Sequence, residues 1–153
     1  MADHHLDTRV WLARPRPQVF AFFADPGNLA RVSPPALRLR LLTPCTTLHA
    51  GAVLDFRAAW LGLLPLRWRT YVREYDPPYR FVDVQVRGPW ARWEHRHLFL
   101  DEDGGTCVED RVTYRLPLGP LGRGLHAALV HRQLRQAWAF RQARLVELFG
   151  GRG

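Results

Sequence analysis

Residues 93–99 read WEHRHLF, with Trp93, His95, His97 and Phe99 at alternate positions. Successive side chains on a β-strand point to opposite sides of the sheet, so this spacing sends two imidazoles and two large rings to one face. Glu94 and Arg96 go to the other face, and the charged pair marks it as the wet one. The histidines then point inward, where an imidazole needs a hydrogen-bond partner, a metal or a cavity holding water or ligand. DEDGG (101–105) reads as a tight hairpin turn into TCVEDRVTYRL (106–116). Setting Phe99 opposite Val108 puts His97 opposite Asp110, His95 opposite Val112 and Trp93 opposite Tyr114, all on one face. A carboxylate beside an imidazole fixes its tautomer and raises its pKa.

Three chemistries are open to His95, His97 and Asp110. They can form a satisfied buried pair with a structural role. They can make a polar patch in an apolar pocket, orienting a ligand carbonyl or hydroxyl or acting as general acid and base. The third is metal binding, for which HxH is a recurrent spacing that needs a third and usually a fourth ligand. Asp110 is one source and His49 another; nothing else clusters in the sequence, and no metal or other cofactor is assigned. His4 and His5 sit at a terminus expected to fray and receive no role.

The elements that must position these residues follow from periodicity. LDTRVWLA (6–13) reads as a first strand. Pro17 suits the first turn of a helix carrying Val19, Phe20 and Phe23 at helical spacing. Asp25-Pro26-Gly27 breaks it, and a second short helix spans about 28–32, before Ser33-Pro34-Pro35. Period-two segments follow at 37–42, 53–60, 66–75 and 80–87, each half buried, and Leu54, Phe56, Ala58 and Trp60 share one face of the second. Trp68 lies on the apolar face of the third. From Pro117 to Phe149 the pattern is helical, with Leu134, Trp138, Arg141, Leu145 and Leu148 on one face. Arg141 interrupts that face, either snorkelling out or pairing with an interior carboxylate.

The chain has 153 residues, 47% of them hydrophobic and 24% charged, as expected for one globular domain over 1–153 with its ordered core at 6–149. No apolar run approaches the roughly 20 residues of a membrane-spanning helix, and MADHHLDTRV has no signal-peptide core, so the expected location is cytoplasmic, without integral membrane association. Cys45 and Cys107 lack CxxC spacing and read as free thiols. The formal charge is +8, and all 22 basic residues are arginine. They are scattered, with Arg67, Arg69 and Arg73 alternating on one strand, and no nucleic-acid motif accompanies them, so nucleic acid is not expected as a partner.

PRPQVFAFFADPGNLARVSPP (15–35), FVDVQVRGPWARWEHRHLF (81–99), GGTCVEDRVTYRLPLG (104–119) and AFRQARLVELFG (139–150) resemble the START-like, or SRPBCC, superfamily. That superfamily includes the birch pollen allergen and polyketide cyclase relatives, and the resemblance is to a bacterial ligand-binding branch. It covers nearly the whole chain. It implies an α+β helix-grip fold, in which a curved antiparallel sheet of about seven strands wraps a long C-terminal helix, with two short helices between strands 1 and 2. It also implies a cavity between sheet and helix, and an arginine where Arg141 stands. Within 80–87 the apolar set is Val82, Val84 and Val86, whereas the resemblance rests on Phe81, Asp83 and Gln85. Which set lines the pocket stays open at this point, and a bulge near Gly88 would reconcile the two.

The expected function is binding or transport of a small hydrophobic molecule such as a lipid, isoprenoid, polyketide or aromatic compound. Phe56, Trp60, Trp68, Trp93, His95, His97, Phe99, Asp110, Tyr114, Trp138 and Arg141 form the candidate binding set. The alternatives are a polyketide cyclase or dehydratase using His95, His97 and Asp110 as acid and base, and a basic module that docks on a partner or membrane surface. Either a monomer or a homodimer fits.

Overall fold

The computed structural model describes residues 2–60 and 62–153, with the side chains of His126 and Ala127 outside the description. Strand β1 (His4–Leu12) is followed by helix α1 (Arg16–Ala24) and two 3₁₀ turns at Pro26–Val32 and Pro35–Leu37. Strands β2 (Arg40–Leu41), β3 (Val53–Trp60), β4 (Leu64–Asp76), β5 (Arg80–Arg87), β6 (Arg92–Glu102) and β7 (Gly105–Arg115) come next. The chain ends with α2 (Gly119–Leu125), a π-helical turn (His126–Val130), α3 (His131–Phe149) and β8 (Gly151–Arg152). The eight strands form one antiparallel sheet in the order β2-β3-β4-β5-β6-β7-β1-β8. This is the helix-grip fold expected from the sequence, with two of its strands only two residues long.

Local chemistry explains where the elements differ from their sequence periods. The leucine alternation at 37–42 yields only β2, because Pro34 and Pro35 set a 3₁₀ turn that ends with Arg38 in the left-handed region (φ 45°). The segment at 26–32 is 3₁₀ and is capped by the Asp25 side chain, which accepts the Gly27 N–H at 2.9 Å. The helical stretch after Pro117 is interrupted by the π turn at 126–130. His4 and His5 do not fray. They pair with Tyr114 and Thr113, and the His4 ring lies 5.4 Å from that of Tyr114. The hairpin between β6 and β7 turns on Asp103 and Gly104, both at positive φ (48° and 74°), as a two-residue loop requires.

One face of the sheet is covered. Val19, Phe20 and Phe23 of α1 pack with Phe81, Phe99 and Leu145 into one apolar cluster. A second cluster joins Trp93, Val112 and Tyr114 to Val130, with Trp138 alongside. Helix α3 packs closely on β1, β8 and the 26–32 turn. It therefore leans toward the β1 side of the sheet.

Gly150 ends α3 at φ 72° and ψ 152°, while its N–H reaches the Val146 carbonyl at 2.8 Å. A methyl group would have room, its nearest neighbour being the Ala13 Cβ at 3.7 Å. The cost of Gly150→Ala is therefore the backbone conformation alone, which is close to glycine-only and worth about 1–3 kcal/mol. The expected result is a melting temperature lower by several degrees, read by thermal denaturation, with the rest of the fold intact.

Candidate functional site

Between the two clusters lies a cavity of about 390 Å³. Of the residues singled out in the sequence, Phe56 and Trp60 reach its wall from β3, and Trp68 does so from β4. Trp93, His95 and His97 reach it from β6, and Trp138 and Arg141 from α3. Phe99, Asp110 and Tyr114 are buried on the same sheet face but lie behind the wall. The Phe23 ring packs against Phe99 at 5.2 Å, the Trp90 ring against Tyr114 at 5.4 Å, and Arg141 lies over Asp110. Trp60 donates its indole N–H to Gln133 Oε1 at 2.8 Å, a link from β3 to α3.

The hairpin register is the one the turn implies, with His97 opposite Asp110 and His95 opposite Val112. The short hydrogen bond nevertheless goes diagonally, from His95 Nε2 to Asp110 Oδ1 at 2.7 Å. His97 Nδ1 lies 3.2 Å from the same oxygen without the geometry of a hydrogen bond. Strand pairing fixes Cα positions, and the imidazole rotamers then decide which ring meets the carboxylate. The two rings lie over one another, 3.7 Å between centroids, and Phe81 stacks on the far side of His97 at 4.1 Å.

Two further charged groups complete the cluster. Arg141 is 6% exposed, and its Nε sits 3.6 Å from Asp110 Oδ2 with the guanidinium over the Phe23 ring. It is thus drawn to an interior carboxylate rather than snorkelling out. Asp83 Oδ2 lies 3.8 Å from His97 Nε2 and has no hydrogen-bond partner. The sequence set omitted Asp83, because simple alternation along 80–87 assigns the inward face to Val82, Val84 and Val86. The β4–β5 ladder shifts register between Arg69 and Thr70 and between Val72 and Glu74, which leaves Val86 and Arg73 as the extra residues. Val86 is exposed, while Phe81 and Asp83 line the cavity and Gln85 binds the Trp90 backbone. The signal for Asp83 was the conflict itself. His49, the other sequence candidate for a ligand, is exposed and bonds the Ala50 carbonyl.

The electrostatics separate the two imidazoles. Burial lowers the pKa of His95, and the neighbouring His97 charge lowers it further; together they outweigh Asp110. Burial also pushes His97 down, but flanking carboxylates of Asp110 and Asp83 outweigh it and leave His97 above the usual imidazole value. Burial alone would raise Asp110; Arg141 and the two histidines instead hold it well below the carboxylate range. Asp83 is lowered in the same way, against burial, by His97, His95 and Arg141. The two imidazoles are thus biased in opposite directions beside two carboxylates and one guanidinium, in a corner of an otherwise apolar wall.

No protein-family model and no curated protein matches the chain. Solved structures do. Protein CV1439 from Chromobacterium violaceum is similar over 95% of this chain and 96% of its own, with a TM-score of 0.73 and 14% identity. Ara h 8.0201 is similar over 96% and 97%, with a TM-score of 0.66 and 15% identity. A nucleoside-diphosphate sugar epimerase from Corynebacterium glutamicum is 28% identical over 93% of this chain, with a TM-score of 0.66. The match spans only 28% of that longer protein. These likenesses show the fold. Among the described residues no helix is long and apolar enough to cross a membrane.

Proposed function

We propose that the chain is an SRPBCC-type carrier that binds a small, largely apolar molecule between the sheet and α3, with His95, His97 and Arg141 orienting one polar group of it. The observation that carries this reading is the cavity of about 390 Å³, whose wall is mainly aromatic and aliphatic and is polar at one corner. Burying about 300 Å² of apolar ligand surface at ~25 cal/mol per Å² yields about 7 kcal/mol before association costs, which supports micromolar or weaker binding. The free thiols Cys45 and Cys107 suit a reducing, cytoplasmic setting.

Five tryptophans, at 60, 68, 90, 93 and 138, line the cavity, so a ligand entering it must change their emission. Titrating delipidated protein with a fluorescent fatty acid is expected to give saturable, one-to-one energy transfer from tryptophan. Absence of saturable binding at any accessible concentration, for this probe and for a planar aromatic probe, would refute the carrier reading.

A second reading has the same corner move protons on an enolisable substrate, as in a cyclase or dehydratase. The opposite protonation bias of His95 and His97 favours it, since one ring can accept a proton while the other donates. Turnover of a poly-β-keto compound that is lost in His97→Ala would establish it. The basic-surface reading has less support. Arg69 donates from Nε and Nη2 to the two carboxylate oxygens of Asp55, and Arg73 pairs with Glu94, which spreads the charge among outer-face ion pairs.

A further inference from the structure

We propose that Asp83, His95 and His97 form a binding site for one divalent transition-metal ion at the polar corner of the cavity. One donor atom from each of the three lies within 4.8 Å of the others. Bonds of about 2.0–2.2 Å in a tetrahedral set put ligand atoms about 3.3–3.6 Å apart, so the triangle closes with a shift of up to about 1.5 Å. Asp83, whose side chain remains partly exposed, supplies that shift by rotating its carboxylate.

Three observations favour an ion over a purely structural cluster. First, the 3.8 Å gap between His97 Nε2 and Asp83 Oδ2 is too long for a hydrogen bond, yet Asp83 Oδ2 is sealed from water and has no partner. A buried carboxylate oxygen left bare is costly, and a cation between the two atoms satisfies both. Second, Asp110 stands behind both rings, taking the His95 Nε2–H at 2.7 Å and facing His97 Nδ1 at 3.2 Å. That leaves His95 Nδ1 and His97 Nε2 as the lone pairs available for ligation, the role a carboxylate plays behind metal-bound histidines. Third, three protein ligands leave further coordination positions open. All three residues line the cavity, so a cavity occupant can supply an oxygen to one of those positions. Two imidazoles and one carboxylate suit zinc or iron(II).

This site stands independently of what the apolar part of the cavity carries. Protein stripped with a chelator is titrated with Co²⁺ and followed by its visible d–d bands, then challenged with Zn²⁺. The expected result is one Co²⁺ per chain, displaced by Zn²⁺. Asp83→Asn and His97→Gln are expected to weaken binding by more than about 100-fold, and Asp110→Asn by about 10- to 100-fold. His4→Ala/His5→Ala, which removes an imidazole pair outside the site, leaves it unchanged. Thermal melts establish that each variant is folded, and crystals of the unaltered protein soaked in Zn²⁺ give an anomalous peak among the three side chains whatever the variants do. Binding that is equal in the unaltered protein and Asp83→Asn, or an anomalous map without that peak, overturns the proposal. Fatty-acid binding measured on the same samples separates this failure from failure of the carrier reading.

Discussion

Asp110→Ala is expected to destabilise the protein by about 3–5 kcal/mol, the cost of breaking a buried ion pair from one side. For a chain of this size that is a melting temperature lower by roughly 10 °C or more. Asp110 is 2% exposed and is the carboxylate nearest to Arg141, His95 and His97 at once. Its loss leaves a buried guanidinium without its counter-charge. Adding Arg141→Leu to Asp110→Ala is expected to recover part of the stability, because the stranded cation is then gone as well.

The pH dependence follows from the directions of the shifts. Asp110 has a folded pKa below its unfolded value, so its contribution is complete above about pH 4 and disappears as pH falls through the depressed value. His97 has a raised folded pKa, so its contribution is complete below about pH 6.5 and is lost as pH rises through the elevated value. The difference between the unaltered protein and Asp110→Ala in urea denaturation is therefore widest between about pH 4 and 6.5, and narrows on both sides. A difference that stays flat from pH 3 to 9 would contradict this assignment of charges.

The second large effect concerns the cavity. Ala137 faces it from α3, between the wall residues Leu134 and Arg141. Ala137→Trp places a large ring in space that the carrier reading reserves for ligand. Affinity for the fluorescent fatty acid is expected to fall at least tenfold, about 1.4 kcal/mol. Stability is expected to hold or to rise by about 0.5–2 kcal/mol, as cavity-filling changes commonly do. Loss of binding without loss of stability separates an occupied cavity from mere damage to the fold, and unchanged affinity would place the ligand elsewhere.

The face that β6 turns inward was legible from alternation alone, and the DEDGG turn gave the register that puts Asp110 beside the histidines. The choice of His95 for the short bond was not legible, because it depends on ring rotamers. Asp83 was hidden because valines hold the opposite parity at 82, 84 and 86, so hydrophobicity pointed to the wrong face, although Phe81 and Asp83 pair in regular register with His97 and His95. Alternation also could not tell the wall from what lies behind it. Phe99, Asp110 and Tyr114 share the inward face with His97, but Phe23, Arg141 and Trp90, from remote parts of the chain, come down over them. The two-residue β2 reflects a local conflict, in which Arg38 turns left-handed just where the leucine period calls for extended chain.

The two ends of the closing helix are held differently. Beyond Phe149 the backbone turns at Gly150 and joins the sheet beside Trp11 and Leu12, which moors that end of the rod. At the other end the rod begins in a glycine-rich turn of helix and a π-helical stretch that, among the described residues, pair with no strand and are held by the packing of Val130 on Trp93, Val112 and Tyr114. On the carrier reading the end held by side-chain packing is the easier one to part, and the hydrogen bond from the Trp60 indole to Gln133 ties β3 to that end of α3.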